Sequence, residues 1–340
     1  LKRDSLQRLE DGTAQVIIGT HALFSEDMNY RDLGLIVIDE QHKFGVQQRI
    51  KMVEKGEGVD LLVMTATPIP RTLSLTAYGD LDITTIPDKP GRPVKVHSKC
   101  IFTSEKRRDM YEFIGKQVEM GRQGFVVCPL IEDSEKLDAL STEEIFDDIR
   151  KNHLPGKRII VLHGKNTADE KESIMTDFKS GLYDVLISTS VIEVGVDVPN
   201  ASFMVVESAD RFGLSQLHQL RGRIGRGIHD SYCFFSIPAG ITRQGKDRLR
   251  ALINHSDGFL LAEEDLKIRG PGEFLGARQS GLDSLKLANL VEDEDILLKA
   301  KHDAFQIVHS DPLFQRQENQ ILSKTIRRRF LEKNQFYLTN

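Results

Sequence analysis

The sequence has few of the features that mark secreted, membrane or metal-binding proteins. Only three of its 340 residues are cysteines, and their scatter and odd number argue for reduced thiols in a cytoplasmic protein. No Cys/His cluster has the spacing of metal ligands. No apolar run approaches the roughly 20 residues that span a bilayer, and no tandem repeat or low-complexity tract is visible. We therefore expect a cytoplasmic globular protein without a membrane partner.

An excess of positive charge is also missing, since the formal net charge is −5. Affinity for DNA depends heavily on lysine and arginine at phosphates, so this balance excludes a generic nucleic-acid coat protein. It leaves open a DNA motor, which needs only a local basic track and must release its grip in each cycle.

No GxxxxGK[ST] motif occurs, so the sequence lacks the loop that cradles nucleotide phosphates in many ATPases. The chain does not begin with methionine, and no secretory signal stands at Leu1. We interpret the sequence as a fragment or a processed piece of a longer protein.

Short apolar runs alternate with helical patterns along most of the chain, which predicts an α/β fold with parallel sheets. The length suits two or three domains. The predicted strands are 16–19, 35–38, 61–64, 125–128, 159–162, 184–188 and 203–206. We predict helices at 105–120 and after Thr167, which with Glu170 has the spacing of a capping box. A Pro/Gly-rich linker is predicted at 87–93.

The pattern changes after about Thr242. Two short helices are predicted around the turn Ser256-Asp257-Gly258, and residues 282–340 have a helical, charged pattern. The basic run at 327–329 is interpreted as a solvated helix face rather than a DNA contact.

The most informative segment is SQLHQLRGRIGRG at 215–227. Leu214, Leu217 and Leu220 recur every three residues and predict a short helix packed on a core. Glycines then let the backbone turn, so that the guanidinium groups of three arginines, Arg221, Arg223 and Arg226, can project. Planar, permanently charged guanidinium groups suit the oxygens of a transferring phosphoryl group. The alternative is an arginine-rich solvated turn.

A second site precedes it in the run GLIVIDE at 34–40. The short β-branched run predicts a strand buried on both faces of a parallel sheet. Asp39 and Glu40 then lie at its carboxyl end, where open α/β sheets bind ligands. One acid can hold the water shell of Mg2+ and the other can polarise an attacking water. The alternative is a solvated acidic pair that caps the next helix.

Four segments in this order resemble motifs of superfamily-two helicases and translocases: IDEQH (38–42), MTATPIPRTL (64–73), STSVIEVGVDVP (188–199) and QLRGRIGRG (219–227). Longer segments resemble the RecG family of bacterial DNA translocases, which remodel replication forks: DEQHKFGVQQR (39–49), TATPIPRTLSLTAYGDLD (65–82) and DLKIRGPGEFLGARQSG (265–281). The resemblance extends from about Gly19 to at least Gly281.

The resemblance implies two RecA-like parallel sheets followed by a helical translocation hairpin and a helical C-terminus. Residues 1–88 would form the C-terminal part of lobe one, residues 89–242 a complete lobe two, and residues 243–340 the hairpin, its loop and the C-terminal helices. The phosphate-cradling loop and the N-terminal wedge domain of the family are absent from this sequence, which implies a truncated first lobe.

The resemblance also implies a role for individual residues. Asp39 would hold Mg2+ through water, Glu40 would orient or deprotonate the hydrolytic water, and Arg223 and Arg226 would be arginine fingers that reach the γ-phosphate of ATP. Further nucleotide contacts are implied for Gln41, His42, Gly195, Asp197 and Gln219. DNA contact, or coupling of hydrolysis to DNA movement, is implied for Gly19, Thr20, Thr65, Thr67, His163, Thr189, Arg248, Arg269 and Gln279.

Each of these roles has a plainer alternative. Apart from the resemblance, His42 fits a capping or packing histidine and His163 a histidine of a surface loop. The segment TAT at 65–67 fits a strand-to-loop turn, and the segment 243–281 an ordinary helical hairpin.

The function implied by the resemblance is an ATP-dependent DNA helicase, or double-stranded-DNA translocase, that remodels stalled forks and Holliday junctions in recombination and repair. It would be a nucleoid-associated monomer that acts on branched DNA, with single-stranded-DNA-binding protein as a further partner. Two alternatives are a transcription-repair coupling translocase and a non-catalytic DNA-binding fragment. Because the phosphate-cradling loop is missing, we predict that the isolated chain is inactive.

Overall fold

Two units make up the chain, Leu1–Pro68 and Ile69–Asn340. The computed structural model describes residues 2–25, 28–40, 55–56, 58–66, 82–86, 94–129, 135–189, 198–238, 240–270 and 293–328. The predicted linker at 87–93 lies outside these residues, and the boundaries at 88 and 242 remain predictions.

The first unit contains helix α1 (Lys2–Glu10), a 3-10 turn at His21–Phe24 and two parallel strands, β1 (Leu35–Ile38) and β2 (Asp60–Val63). The strands pair in register from Leu35 with Asp60 to Ile38 with Val63. Ile36 and Ile38 form the buried face, with partly buried apolar side chains around them. The two predicted strands 35–38 and 61–64 are thereby confirmed, the second shifted by one residue.

The predicted burial of β1 on both faces is wrong. Leu35 and Val37 are 58% and 51% exposed, whereas Ile36 and Ile38 are 5% and 3% exposed. This alternation is typical of a sheet covered on one face only, because successive side chains point to opposite faces. A β-branched run reports strand propensity, but it does not report whether layers cover both faces.

The predicted strand at 16–19 is also wrong. These residues have no strand structure, and Val16 and Ile18 are 81% and 93% exposed. A strand needs a neighbour that satisfies its backbone groups, and in the described residues of this unit the sheet consists of β1 and β2. Apolar, β-branched composition alone was not sufficient here.

The second unit is built on six parallel strands in the order β3-β8-β7-β4-β6-β5. The strands are β3 (Val96–Ile101), β4 (Gln123–Val127), β5 (Ile159–Leu162), β6 (Val185–Ser188), β7 (Ala201–Val206) and β8 (Ser231–Ser236). The helices between them are α2 (Ser104–Glu119), α3 (Glu135–Asp148), α4 (Ala168–Lys179) and α5 (Leu214–Arg221). The predicted strands of this unit are confirmed within two residues at each end. Strands β3 and β8 were not predicted.

Both faces of this sheet carry a core, because alternate strand residues point to opposite sides. On one side, Phe125 and Val127 pack with α4, α5 and the following helices. On the other side, Val126 and Val205 pack with α2 and the π-helical turn Ile149–His153. This is the doubly covered arrangement typical of parallel sheets.

Local caps fix several helix ends. The capping box of α4 forms as predicted, with Thr167 and Glu170 each accepting from the other's backbone N–H. Helix α2 begins after Thr103, whose side chain accepts from the N–H of Lys106, and it ends just before Gly121 at φ 78°. The predicted helix at 105–120 is confirmed with a shift of one residue.

The two helices predicted around Ser256-Asp257-Gly258 are confirmed as α6 (Arg243–Asn254) and α7 (Gly258–Arg269). The Asp257 side chain caps α7 by accepting from the N–H groups of Phe259 and Leu260. Leu249, Leu252 and Leu261 join the core that α5 covers. These two helices therefore share one core with α5 and the sheet.

Helix α8 (Glu294–Ser310) follows, and residues 320–328 are also helical. This agrees with the predicted helical pattern of the C-terminal region as far as it is described. Among the described helices, none is long and apolar enough to cross a membrane.

Candidate nucleotide and DNA sites

Asp39 and Glu40 follow β1 at its carboxyl end, where the sequence places them. The Glu40 N–H donates to Asp39 Oδ1 at 2.8 Å, so the Asp39 side chain is fixed against its own backbone. Glu40 has φ 52°, a left-handed conformation that is uncommon outside glycine and costs of order 1–3 kcal/mol. Such strain is concentrated at functional sites. The left-handed residue lies just after the end of the strand.

Thr65 lies beside this pair. The Met64 N–H donates to the Ile38 carbonyl at 2.7 Å, and Asp39 and Thr65 are the next residues on the two strands. The structure therefore brings the acid pair and the TAT segment to one edge of the sheet, as expected for parallel strands. Gln41, His42 and Thr67 lie outside the described residues.

The donor set at this edge fits a Mg2+ ion. Mg2+ uses one or two carboxylates together with waters and substrate phosphates, and exposed Asp39 can supply such a carboxylate. In the part of the chain that the structure describes, no cluster of three or more His, Cys, Asp or Glu residues could hold a metal alone. A site of this kind would be completed by the nucleotide phosphates.

Gly19 and Thr20 are placed differently from the prediction. They do not follow a strand; Thr20 is the N-cap of the 3-10 turn His21–Phe24 and accepts the Leu23 N–H on its carbonyl at 3.0 Å. Both residues are exposed. A Cβ at Gly19 would lie 3.0 Å from Leu23 Cγ, so this glycine serves close packing of the turn.

His163 and Thr189 lie next to each other at the carboxyl edge of the second sheet. Leu162 of β5 pairs with Ser188 of β6, and the two candidates are the next residues. Asn166 Oδ1 accepts the His163 N–H at 2.9 Å. Thr189 is 1% exposed, and within the described residues its Oγ1 and the His163 Nδ1 are buried without a hydrogen-bond partner. Unsatisfied buried polar atoms are costly and call for an explanation.

The arginine segment begins as predicted, with α5 burying Leu214, Leu217 and Leu220. Gln219 lies half-buried in the last turn. After the C-cap Gly222, Arg223 is half-buried and Arg226 is exposed, with Arg226 Nε donating to the Gly222 carbonyl at 3.2 Å. We name residues 222–230 the arginine loop.

The arginine loop lies at the amino ends of the strands. A Cβ on Gly225 would lie 2.9 Å from Val96 Cγ2 and 3.8 Å from Ser231 Oγ, and these two residues begin β3 and β8. A Cβ on Gly227 would lie 2.2 Å from the Pro199 carbonyl oxygen. The loop thus packs against the end of the segment that carries Gly195 and Asp197, which themselves lie outside the described residues.

The two groups of candidates in the second unit therefore occupy opposite edges of one sheet. The pair His163 and Thr189 lies at the carboxyl edge, and the arginine loop lies at the amino edge. A six-residue strand such as β7 spans about 20 Å. One rigid sheet can thus present separate surfaces to two ligands.

The prediction that all three arginines project is wrong for Arg221. This side chain is 8% exposed, and its Nη1 donates to the carbonyls of Leu252 at 2.6 Å and His255 at 3.0 Å. Sequence spacing could not reveal this, because the acceptors lie more than 30 residues further along the chain.

Arg248 and Arg269 of the hairpin meet at the start of α5. Arg248 donates to the carbonyls of Asp210 and Phe212 at 3.3 and 3.2 Å, and Arg269 Nε donates to Asp265 Oδ1 at 2.9 Å. A Cβ on Gly213 would lie 2.9 Å from Arg269 Nη2. Burial raises the pKa of Asp265, and Arg269 and Arg248 oppose that rise. Gln279 lies outside the described residues.

Three family models match separate parts of the chain. The model for the DEAD/DEAH box helicase domain matches residues 2–76, and that for the helicase conserved C-terminal domain matches residues 105–227. The model described as ATP-dependent DNA helicase RecG, domain 3, C-terminal matches residues 255–336.

Curated relatives agree with these matches. The chain is 47% identical to ATP-dependent DNA helicase RecG of Synechocystis sp. over 92% of this chain and 37% of the relative. The corresponding protein of Bacillus subtilis is 42% identical, over 94% of this chain and 47% of the relative. The chain thus spans less than half the length of these relatives.

Among solved structures, RecG bound to a three-way DNA junction superposes with a TM-score of 0.63 at 41% identity, over 87% of this chain and 38% of that one. A variant of S. cerevisiae Dbp5 bound to RNA and ADP BeF3 has a TM-score of 0.50 at 15% identity, over 85% of this chain and 69% of that one, a likeness of fold alone. With helicase domains matched at 2–76 and 105–227, a RecG domain matched at 255–336 and a RecA-like α/β fold, the chain belongs to the RecG family and corresponds to the C-terminal part of its members.

Proposed function

We propose that this chain is the C-terminal part of an ATP-dependent DNA helicase, a motor that translocates on double-stranded DNA and remodels stalled forks and Holliday junctions. The observation that carries the proposal is the 41% identical relative whose structure holds a three-way DNA junction. Because this chain spans less than half of its curated relatives, the activity is proposed for the whole protein.

The proposed hydrolysis assigns a role to each candidate nucleotide residue. Asp39 would hold Mg2+ through water, and the ion would screen the charge of the triphosphate when bound. Glu40 orients the attacking water and accepts its proton. Arg223 and Arg226 donate to the transferring phosphoryl group, where an arginine finger contributes about 10³–10⁵ in rate. Supporting nucleotide contacts are proposed for Gln41, His42, Gly195, Asp197 and Gln219.

Contacts with the DNA backbone are proposed at the carboxyl edges of the sheets. Hydroxyl and amide groups there can bind phosphate oxygens and position the protein without reading sequence. The Thr189 hydroxyl, which is buried and has no hydrogen-bond partner among the described residues, supports this assignment, since a phosphate oxygen would satisfy it. The further residues proposed for DNA contact or coupling are Gly19, Thr20, Thr65, Thr67, His163, Arg248, Arg269 and Gln279.

The proposal distinguishes the activity of the whole protein from the activity of this chain. Without a GxxxxGK[ST] loop, the chain has no phosphate cradle of the usual kind, and we expect it to hydrolyse no ATP by itself. The whole protein is proposed to act as a nucleoid-associated monomer, with single-stranded-DNA-binding protein as an additional partner.

The test is a comparison of this chain with the protein extended by the N-terminal part that its relatives carry. ATP turnover and unwinding of a labelled three-way junction are measured for both proteins. The proposal expects DNA-dependent turnover and unwinding by the extended protein and neither by this chain. Absence of both from the folded, extended protein would refute the motor function, and turnover by this chain alone would refute the assignment of an essential phosphate loop.

A further inference from the structure

Arg221 is the first arginine of the QLRGRIGRG segment, but it points away from the arginine loop and into the hairpin. Nη1 donates to the carbonyls of Leu252 and His255, and Nη2 donates to the Ser256 carbonyl at 3.3 Å and contacts His218 Nδ1 at 3.0 Å. Within the described chain its partners are three carbonyl oxygens and one imidazole, and none is a carboxylate.

These three carbonyls lie at the end of α6 and in the turn that leads to α7. The last carbonyls of a helix have no intrahelical donor, and a cation there is also favoured by the helix dipole. Arg221 supplies several fixed donors from one planar group, a geometry that a lysine ammonium cannot match. We call this set of hydrogen bonds the α6 clamp.

A second arginine, Arg248 of α6, joins the hairpin to the segment before α5. At the start of α5, Arg248 donates back to the carbonyls of Asp210 and Phe212. The two contacts thus run in opposite directions. Arg248 of α6 donates to the segment before α5, whereas Arg221 at the end of α5 donates to the end of α6.

We propose that Arg221 is a positioning residue that joins the arginine loop to the hairpin, so that displacement of the loop by nucleotide is carried into the turn at residues 255–257. The inference rests on the proposed motor function. Its structural basis is that Arg221 is only two residues from Arg223 in the chain, while its guanidinium is fixed to the hairpin.

This role differs from that of a residue that binds the nucleotide. Substitution of a residue that stabilises the transferring phosphoryl group would abolish ATP turnover. Substitution of a positioning residue would leave ATP turnover intact and would reduce the DNA unwound for each ATP consumed. Coupling contacts of this kind change output by about two- to thirtyfold.

The experiment uses the protein extended by the N-terminal part of its relatives. Arg221→Lys keeps the charge and removes the planar donor group. We expect junction-stimulated ATP turnover and nucleotide affinity within about twofold of wild type, and junction unwound per ATP reduced by about two- to thirtyfold. Arg250→Lys is the matched control, because Arg250 lies on α6 with its side chain 75% exposed.

A second variant guards against loss of folding. His218→Ala keeps Arg221 but removes its imidazole contact, and we expect a smaller decrease in the same ratio. If Arg221→Lys does not fold, the result for His218→Ala decides. An unchanged ratio in the folded variants, or a parallel loss of turnover and unwinding, overturns the proposal.

Hydrogen exchange on the 340-residue chain keeps this inference separate from the motor function. Amides at 252–257 should exchange faster in Arg221→Lys than in wild type, whether or not the extended protein unwinds DNA. If the extended wild-type protein neither hydrolyses ATP nor unwinds DNA, the motor function fails first. If exchange at 252–257 is unchanged, the α6 clamp does not hold the hairpin and the inference is refuted directly.

Discussion

Arg107 Nη1 donates to both carboxylate oxygens of Glu207 at 2.6 Å. Tyr111 OH donates to the same carboxylate at 3.1 Å, and the Glu207 side chain is only 8% exposed. The pair ties the first turn of α2 to the carboxyl end of β7, a central strand of the sheet. It is a largely buried ion pair, so removal of one charge leaves the other without its main partner.

We predict that Glu207→Ala lowers the free energy of unfolding by about 3–5 kcal/mol, because a partly buried guanidinium and a buried phenol lose their acceptor. Urea unfolding followed by circular dichroism measures the change. Glu112→Ala is the control, since the pair of Glu112 with Lys116 lies on the exposed side of α2. An equal effect of the two substitutions would show that burial does not govern the Glu207 pair.

The free energy of unfolding of the second unit should fall on mild acidification. His153 stacks on Tyr111 with ring centroids 4.5 Å apart, and burial lowers its pKa although Asp148 at 3.4 Å opposes the shift. The unfolded chain therefore takes up a proton on His153 at higher pH than the folded chain does. This stability is present above the unfolded pKa, near 6.5, and is lost as the pH falls through that value.

Urea midpoints at pH 7.5 and 5.5 test this expectation for wild type and His153→Gln. The substitution should reduce the fall in midpoint, because carboxylates stay ionised across most of this interval. His302→Gln, on the exposed side of α8, is the control. Equal pH dependence in wild type and His153→Gln would rule out His153 as the source.

Gly227 should not tolerate a side chain. A Cβ would stand 2.2 Å from the Pro199 carbonyl oxygen, and backbone cannot move aside cheaply. We predict that Gly227→Ala destabilises the protein by about 1–3 kcal/mol and lowers ATP turnover in the extended protein. Gly164→Ala, with no atom within 4 Å of the added Cβ, is the control for stability. Equal melting temperatures for the two variants would contradict the close packing of the arginine loop.

Thr189→Val should separate stability from function. The threonine hydroxyl is buried and unpartnered in the described structure, so an apolar group of the same shape should be neutral or stabilising by about 1 kcal/mol. In the extended protein, the same change should weaken junction binding and junction-stimulated turnover. Thr189→Ser, which keeps the hydroxyl, should preserve both. Full DNA binding by the valine variant would exclude Thr189 as a phosphate contact.

Arg226→Ala should abolish junction-stimulated ATP turnover in the extended protein, by about 10³–10⁵-fold for a finger residue, and leave nucleotide affinity largely intact. Single-turnover hydrolysis and binding of a fluorescent nucleotide measure the two quantities. Arg108→Ala removes an exposed arginine of α2 and should retain turnover. Wild-type turnover by Arg226→Ala would exclude the finger role.

Much of the sheet could be predicted because the local sequence pattern of its strands agrees with their burial in the fold. The run at 159–162 is apolar, flanked by polar residues, and forms β5 with the predicted bounds. The run at 16–19 has equally good strand composition but no strand structure, since a strand forms only where a neighbouring strand pairs with it. Strand β3 was missed because its residues His97, Ser98 and Lys99 give no apolar run, although the sheet accepts them at its edge.

The candidate site residues also differ in how far the sequence could predict their positions. Asp39 and Glu40 could be placed at a strand end because position along the chain determines it. The direction of the Arg221 side chain could not be inferred, because it is set by carbonyls of a helix that begins 22 residues later. Spacing in a motif identifies residue types, and only the packed structure shows where their functional groups point.

The one-sided burial of β1 and β2 has a practical consequence. Leu35, Val37, Leu62 and Met64 are each at least 40% exposed, and large exposed apolar patches promote association and aggregation. At high concentration the isolated chain should self-associate or adsorb to surfaces through these side chains. Calorimetry and exchange measurements on it are therefore best made in dilute solution, with light scattering as a check for oligomers.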